Sequence, residues 1–134
     1  FERANGVALV DAVNASCAVP GIWPCVEIGD KYYMDGGVYT IDNAALATGA
    51  ERVIVATPFG TVSPAPPGYQ LADAVAALEA SGSKVLVIEP DPASRAAMGA
   101  NPLDPAVRIP SAEAGFAQGQ RVADSVGAFW GTVS

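Results

Sequence analysis

The chain contains no histidine. That absence removes the imidazole that most often deprotonates a catalytic nucleophile, so a hydrolase built on one of its carboxylates needs either a metal or a nucleophile activated directly by that carboxylate. Cysteine is nearly as scarce, with Cys17 and Cys25 standing eight positions apart. That is not metal-ligand spacing, and two thiols are too few for a disulfide scaffold. They read as small core or turn residues, with a local disulfide as the alternative. Lacking histidine and further cysteine, the chain offers zinc few ligands, and no cofactor is implied. Positive charge is also sparse: seven Lys and Arg against fourteen Asp and Glu leave a formal charge of -7. No basic cluster follows a phosphate backbone, so nucleic acid is not an expected partner. No apolar run approaches the roughly eighteen residues of a membrane span. The opening Phe1-Glu2-Arg3-Ala4-Asn5 lacks the order of a signal peptide. The expected location is cytoplasmic, with peripheral contact the nearest approach to a membrane. Without a starting methionine, the chain is expected to begin downstream of its gene's start.

What is present suffices for one modest core: 134 residues, 51 % of them hydrophobic. The run Val7 to Ala18 has apolar residues three and four apart, which predicts a helix with one buried face ended by Pro20-Gly21. Val26-Glu27-Ile28 and Lys31-Tyr32-Tyr33-Met34 flank Gly29-Asp30, the spacing of a hairpin with a two-residue turn. Asp42 or Asn43 can cap a short helix from Ala44 to Thr48. Arg52–Thr57 and Lys84–Glu89 are nearly continuous apolar runs separated by a helical pattern from Tyr69 to Ala80. A right-handed strand-helix-strand unit with parallel strands follows, and with it a layered α/β domain. The proline-rich stretch 58–68 predicts an ordered surface loop, and 101–105 a rigid connector. Pro90-Asp91-Pro92 is expected to turn the chain into a short helical stretch that runs through Met98. A last helix is expected from near Ser111 to Phe129, with Glu113 in its first turn and Phe116, Val122, Val126 and Phe129 on one side. Its glycines, Gly115, Gly119 and Gly127, would allow close approach to a neighbour.

Asp35-Gly36-Gly37 is the stretch with most chemical content, because the hairpin delivers one carboxylate at the exit of a strand and follows it with two residues that cannot crowd it. On local physics alone it is a tight turn whose aspartate accepts backbone hydrogen bonds and one of whose glycines takes positive φ. Its context adds a second reading. Ala15-Ser16-Cys17-Ala18-Val19-Pro20-Gly21-Ile22-Trp23-Pro24, then Tyr33-Met34-Asp35-Gly36-Gly37-Val38, then Asn43 through Thr57, together resemble the C-terminal half of the patatin-like phospholipase family. The likeness is densest over residues 7–57, and the stretch 101–104 and the final helix look like bacterial members. Asp-Gly-Gly alone is a weak signal; joined to the Ala-Ser-x-Ala-x-Pro-Gly turn it is fairly specific.

The resemblance implies a three-layer sandwich around a mostly parallel central sheet, with residues 1–134 forming the C-terminal portion of a single domain. It implies an acyl ester hydrolase in which Asp35 partners a serine of a Gly-x-Ser-x-Gly motif. That motif and the glycine-rich oxyanion segment do not occur in this chain, so both are expected upstream and the chain alone is expected to be inactive. Ser16 sits where the family has a helix end and reads as a packing or helix-terminal hydroxyl; Ser63 and Ser111 lie in loop and cap contexts. A serine hydroxyl attacking an acyl carbon must lose its proton, and a partly desolvated carboxylate can accept it. The expected substrate is a lipid or small acyl ester. Ile22 and Trp23 either wall an acyl pocket, which Phe59 and the proline-rich loop would rim, or fill core at the helix end. The alternative from another class is a non-catalytic binding or assembly module in which Asp35 is a turn residue. An acyltransferase with a serine-histidine pair finds no histidine here, a dinucleotide-binding domain finds no Gly-x-Gly-x-x-Gly after either strand, and the scattered carboxylates form no recognisable metal or phosphorylation set.

Overall fold

The computed structural model describes residues 1, 3–61, 68–101 and 104–131. They form a mixed α/β structure with four α-helices and two small sheets, arranged as two units, Phe1–Asn43 and Ala44–Ser134. Ser63 and most of the proline-rich stretch lie outside the described residues, as do Pro102 and Leu103 of the predicted connector.

In the first unit, α1 spans Leu9–Ser16, β1 Val26–Ile28 and β2 Lys31–Tyr33. The hairpin is the one the spacing predicts: β1 and β2 are antiparallel with Ile28 opposite Lys31, so Gly29-Asp30 is the two-residue turn. Gly29 takes φ +67° while Asp30 stays at negative φ, the sign pattern of a type II′ turn, which places glycine first. Helix α1 is shorter than its apolar pattern. Proline at 20 disfavours helical backbone at Val19, and the chain instead turns tightly, the Ile22 and Trp23 amides both donating to the Val19 carbonyl. The expected buried face is also different. Ala15 is buried, whereas Leu9, Val10 and Val13 are exposed. Helix α1 packs on β1. Phe1 packs on Tyr33 with ring centroids 4.8 Å apart.

In the second unit, β3 (Arg52–Ala56) and β4 (Lys84–Ile88) are parallel neighbours in register, Arg52 beside Lys84. Helix α2 (Leu71–Ala80) makes the crossover between them. Val53, Val55, Leu71, Leu78 and Ala44 form the buried core, with Val75, Val85 and Val87 packed around it. The Ala44–Ala47 segment is a 3-10 turn. Reciprocal bonds start α2: the Gln70 side chain accepts from the Asp73 amide, and the Asp73 carboxylate from that of Gln70. Helix α3 is Pro92–Met98, opened by Asp91, whose carboxylate accepts from the Ser94 amide at 2.8 Å.

Helix α4 runs from Arg108 to Trp130 and begins three residues before the predicted Ser111, so Glu113 falls beyond its first turn. Pro110 is no barrier, since proline is tolerated in a first turn where its missing N–H has no intrahelical partner; the preceding 3-10 turn Pro105–Val107, capped by Asp104, runs straight into the helix. Phe116 does not share a side with Val122, Val126 and Phe129. At about 100° per residue it lies about 80° to 140° away from them, and it is 71 % exposed while the other three are half-buried. Gly115 and Gly119 do not press against a neighbour either: a Cβ at either position would meet nothing within 4 Å.

The carboxyl end of β4 is tied to both following helices. Gln118 of α4 donates to the Glu89 carbonyl at 2.6 Å and accepts from the Asp91 amide and the Ser94 hydroxyl. Arg121 pairs with Asp91, and Arg95 with Glu89 at 3.0 Å. Hydrogen bonding from the Thr61 hydroxyl, then from Arg95, holds Glu89 below its ordinary value of 4.5. The Ser94 amide, then Arg121, holds Asp91 below 3.8.

Both carboxylates are therefore easier to ionise folded than unfolded. Their contribution is complete at neutral pH and is lost as the pH falls past their ordinary values and through the lower folded ones. Urea midpoints measured from about pH 7 down to about pH 3 are expected to fall in that acid range. Asp91→Asn should be less stable than the parent at neutral pH and lose less between about pH 5 and pH 3; equal acid slopes would show that Asp91 does not contribute.

Candidate active site

Asp35 leaves β2 two residues after Tyr33 and is half-buried. Three contacts define its place. Its backbone N–H donates to the carbonyl of Ala18 at 3.0 Å, which joins the two stretches on which the family resemblance rests. Ala18 is buried beneath this contact, at 2 % exposure. The Asp35 carbonyl then accepts from the Val38 amide at 3.2 Å, starting a 3-10 turn over Gly36–Val38. Finally, the Asp35 Oδ1 accepts from the Gly37 amide at 2.7 Å. The second carboxylate oxygen, Oδ2, has no hydrogen-bond partner among the described residues.

The glycines serve this turn differently from the expectation. Neither has positive φ, because a 3-10 turn is made of ordinary right-handed backbone. What Gly37 supplies is room for the carboxylate: a Cβ there would lie 2.9 Å from Asp35 Oδ1. At Gly36 a Cβ would meet only the Asn43 amide nitrogen at an ordinary 3.5 Å. The Asn43 amide, expected as a helix cap, donates backwards into this turn, to the carbonyls of Gly36 and Thr40. No sequence pattern marks that reach, since the same residue type serves caps and turns alike.

Around the Ala18 end of the turn, Asn14, Cys17, Ala18, Trp23, Pro24 and Val26 line a cavity of about 410 Å³. Trp23 and Ile22 do not fill core, being 63 % and 62 % exposed, and of the two only Trp23 lines the cavity. Cys17 and Cys25 are free thiols and both exposed, so neither is a core residue and no disulfide joins them. Ser16 is the last residue of α1 and exposed. Ser111 lies within α4, where its hydroxyl is directed at the Ala97 carbonyl. Phe59 belongs to the second unit and is exposed. Among the described residues no cluster of His, Cys, Asp and Glu is arranged to hold a metal ion, and no helix is long and apolar enough to cross a membrane.

A carboxylate with one oxygen fixed and the other uncommitted is equipped to take a proton from a nucleophile held in front of it. The stretch that builds this arrangement is also the one with a family match: residues 1–48 match the family model for patatin-like phospholipases. That match bears out the likeness read from the Ala-Ser-x-Ala-x-Pro-Gly and Asp-Gly-Gly motifs, and it spans α1, the hairpin and the Asp35 turn. No curated protein and no solved structure matches the chain.

The two glycines should respond in opposite ways to the same substitution. Gly37→Ala is expected to displace the Asp35 carboxylate, moving the residue-37 amide proton upfield in an NMR spectrum and destabilising the chain by on the order of 1 kcal/mol. Gly36→Ala should leave that amide unmoved and the stability unchanged or slightly raised. Equal shifts in both variants would contradict the assigned geometry.

Proposed function

We propose that the protein carrying this chain is a lipid acyl hydrolase in which Asp35 is the general base and orienting partner of a serine supplied by an upstream segment. The single observation that carries the reading is the state of the Asp35 carboxylate: Oδ1 is held by the Gly37 amide at 2.7 Å while Oδ2 accepts nothing from the described residues. The family match over residues 1–48 points to lipid acyl hydrolysis as the reaction class, and the absence of histidine fits a base that acts without an imidazole.

In this reading the serine Oγ attacks the acyl carbonyl carbon while its proton passes to Asp35 Oδ2. The carbonyl oxygen becomes an oxyanion, stabilised by backbone N–H groups of the upstream segment. Collapse of the tetrahedral intermediate breaks the ester C–O bond, and the departing alcohol oxygen takes the proton back from Asp35. Water then adds to the acyl-serine by the same route, with Asp35 accepting its proton and returning one to the serine oxygen as the fatty acid leaves. The cavity beside Ala18 and Trp23 is the acyl-binding wall of this proposal. The exposed apolar residues Leu9, Val10 and Val13 of α1 supply a surface for the upstream segment. The same reading takes residues 1–134 as the C-terminal portion of one three-layer domain, with the β3–β4 pair as part of its central sheet.

Asp35→Asn keeps the shape and size of the side chain and removes the proton-accepting charge. In the full-length protein, shown folded by circular dichroism and assayed on a short-chain acyl ester, it is expected to lower kcat by on the order of 10²-fold or more with a small change in KM. Retained kcat would make Asp35 a turn residue and move the catalytic role elsewhere, because asparagine also suits such turns.

A further inference from the structure

The bond that orients the Asp35 carboxylate comes from a backbone amide, so the carboxylate is only as well placed as the turn that carries Gly37. That turn is short and exposed. Its internal bonds are two, Val38 N–H to Asp35 O and Tyr39 N–H to Gly36 O. The side chain that adds to them is Asn43. Its amide nitrogen donates to the Gly36 carbonyl at 3.2 Å and to the Thr40 carbonyl at 2.7 Å, and its own backbone N–H donates to the Thr40 hydroxyl at 2.9 Å. One amide group thus bridges two peptide units four residues apart and closes the segment 36–43 on itself.

To reach back in this way the main chain at Asn43 takes φ +52°, and among the described residues it is the only non-glycine with positive φ. Left-handed backbone costs a residue with a Cβ about 1 kcal/mol, asparagine less than most. Glycine would adopt it freely. The position therefore carries a conformational cost that its side-chain bonds offset together with its own N–H bond to Thr40, and one of the side-chain bonds ends on the peptide unit whose nitrogen belongs to Gly37.

We infer that Asn43 is a positioning residue for Asp35, fixing through the Gly36 carbonyl and the Gly37 amide the direction in which the free carboxylate oxygen faces the nucleophile. This rests on the reading of Asp35 as general base. Loss of the two side-chain bonds leaves the base chemically intact and badly aimed, and misplacement of a reacting group by about 1 Å costs up to 10²-fold in rate.

The test compares three variants of the full-length protein on a short-chain acyl ester: Asn43→Gly, Asn43→Asp and Asp35→Asn. Asn43→Gly keeps the left-handed backbone and removes both donor bonds. Asn43→Asp keeps the shape and replaces the donor with an oxygen that the two carbonyls repel. Each Asn43 variant is expected to lower kcat by about tenfold or more with KM within about twofold of the parent, and to move the Gly37 amide proton in an NMR spectrum. A stability role alone would lower the melting temperature and leave kcat of the folded molecules unchanged. If Asp35→Asn abolishes turnover while both Asn43 variants retain kcat, the positioning role is overturned and the base assignment stands. If Asp35→Asn itself retains kcat, the base assignment fails and the positioning role falls with it. Loss of folding in both Asn43 variants assigns the residue to the fold and overturns the proposal.

Discussion

The hydrogen bond from the Asp35 backbone N–H to the Ala18 carbonyl is the contact on which the proposed site depends. It fixes the exit of the hairpin against the turn that follows α1, and so converts two separated sequence stretches into one local structure. Ala15 at the end of α1 and Ala18 at the bond itself are both buried small side chains. With the backbone of Asp35 anchored, the 3-10 turn over Gly36–Val38 needs only to bring one amide back to the carboxylate, and Gly37 leaves the space for it. One oxygen is then committed and the other is not. In the proposed reading that asymmetry leaves one oxygen to accept a proton while the other holds the turn.

The second unit illustrates the other use of carboxylates. Glu89 and Asp91 follow β4 directly, and their oxygen contacts are structural: Thr61 of the segment after β3 and Arg95 of α3 on Glu89, the Ser94 amide of α3 and Arg121 of α4 on Asp91. Both are driven toward the ionised form by these partners. Perturbed carboxylates are often taken as markers of active sites, but here they mark an ion-pair and capping network. Gln118 completes it by donating to one carbonyl and accepting from two donors, leaving the end of the strand satisfied.

Much of this fold is legible in the sequence where a local rule has no competitor. Glycine ahead of aspartate between two short strands sets the hairpin and its register. Two apolar runs separated by a helical pattern gave parallel β3 and β4, because continuous apolar strands need a crossover to bury both faces. Asp91-Pro92 announces α3. The failures arise where burial depends on what lies across from a residue. The apolar residues of α1 predict a buried face, yet Ala15 is the one buried and Leu9, Val10 and Val13 are exposed. Phe116 is grouped with Val122 by hydrophobicity although the helical angle separates them. At the site, Asp35 is visible as a candidate, but the task of its glycines is not: spacing cannot distinguish a glycine needed for positive φ from one needed for a close approach. The left-handed Asn43 is invisible for a related reason, since its side-chain bonds run to backbone groups that carry no sequence identity.

The central claim is that the free oxygen of Asp35 faces a serine. The most direct measurement is a crystal structure of the full-length protein after reaction with an alkyl phosphonate, which forms a stable bond to an activated serine. The account predicts one labelled serine, outside residues 1–134, whose Oγ lies about 2.6–3.2 Å from Asp35 Oδ2, with the Gly37 amide still bound to Oδ1. A labelled serine out of reach of Asp35, or one paired with a different base, would contradict it.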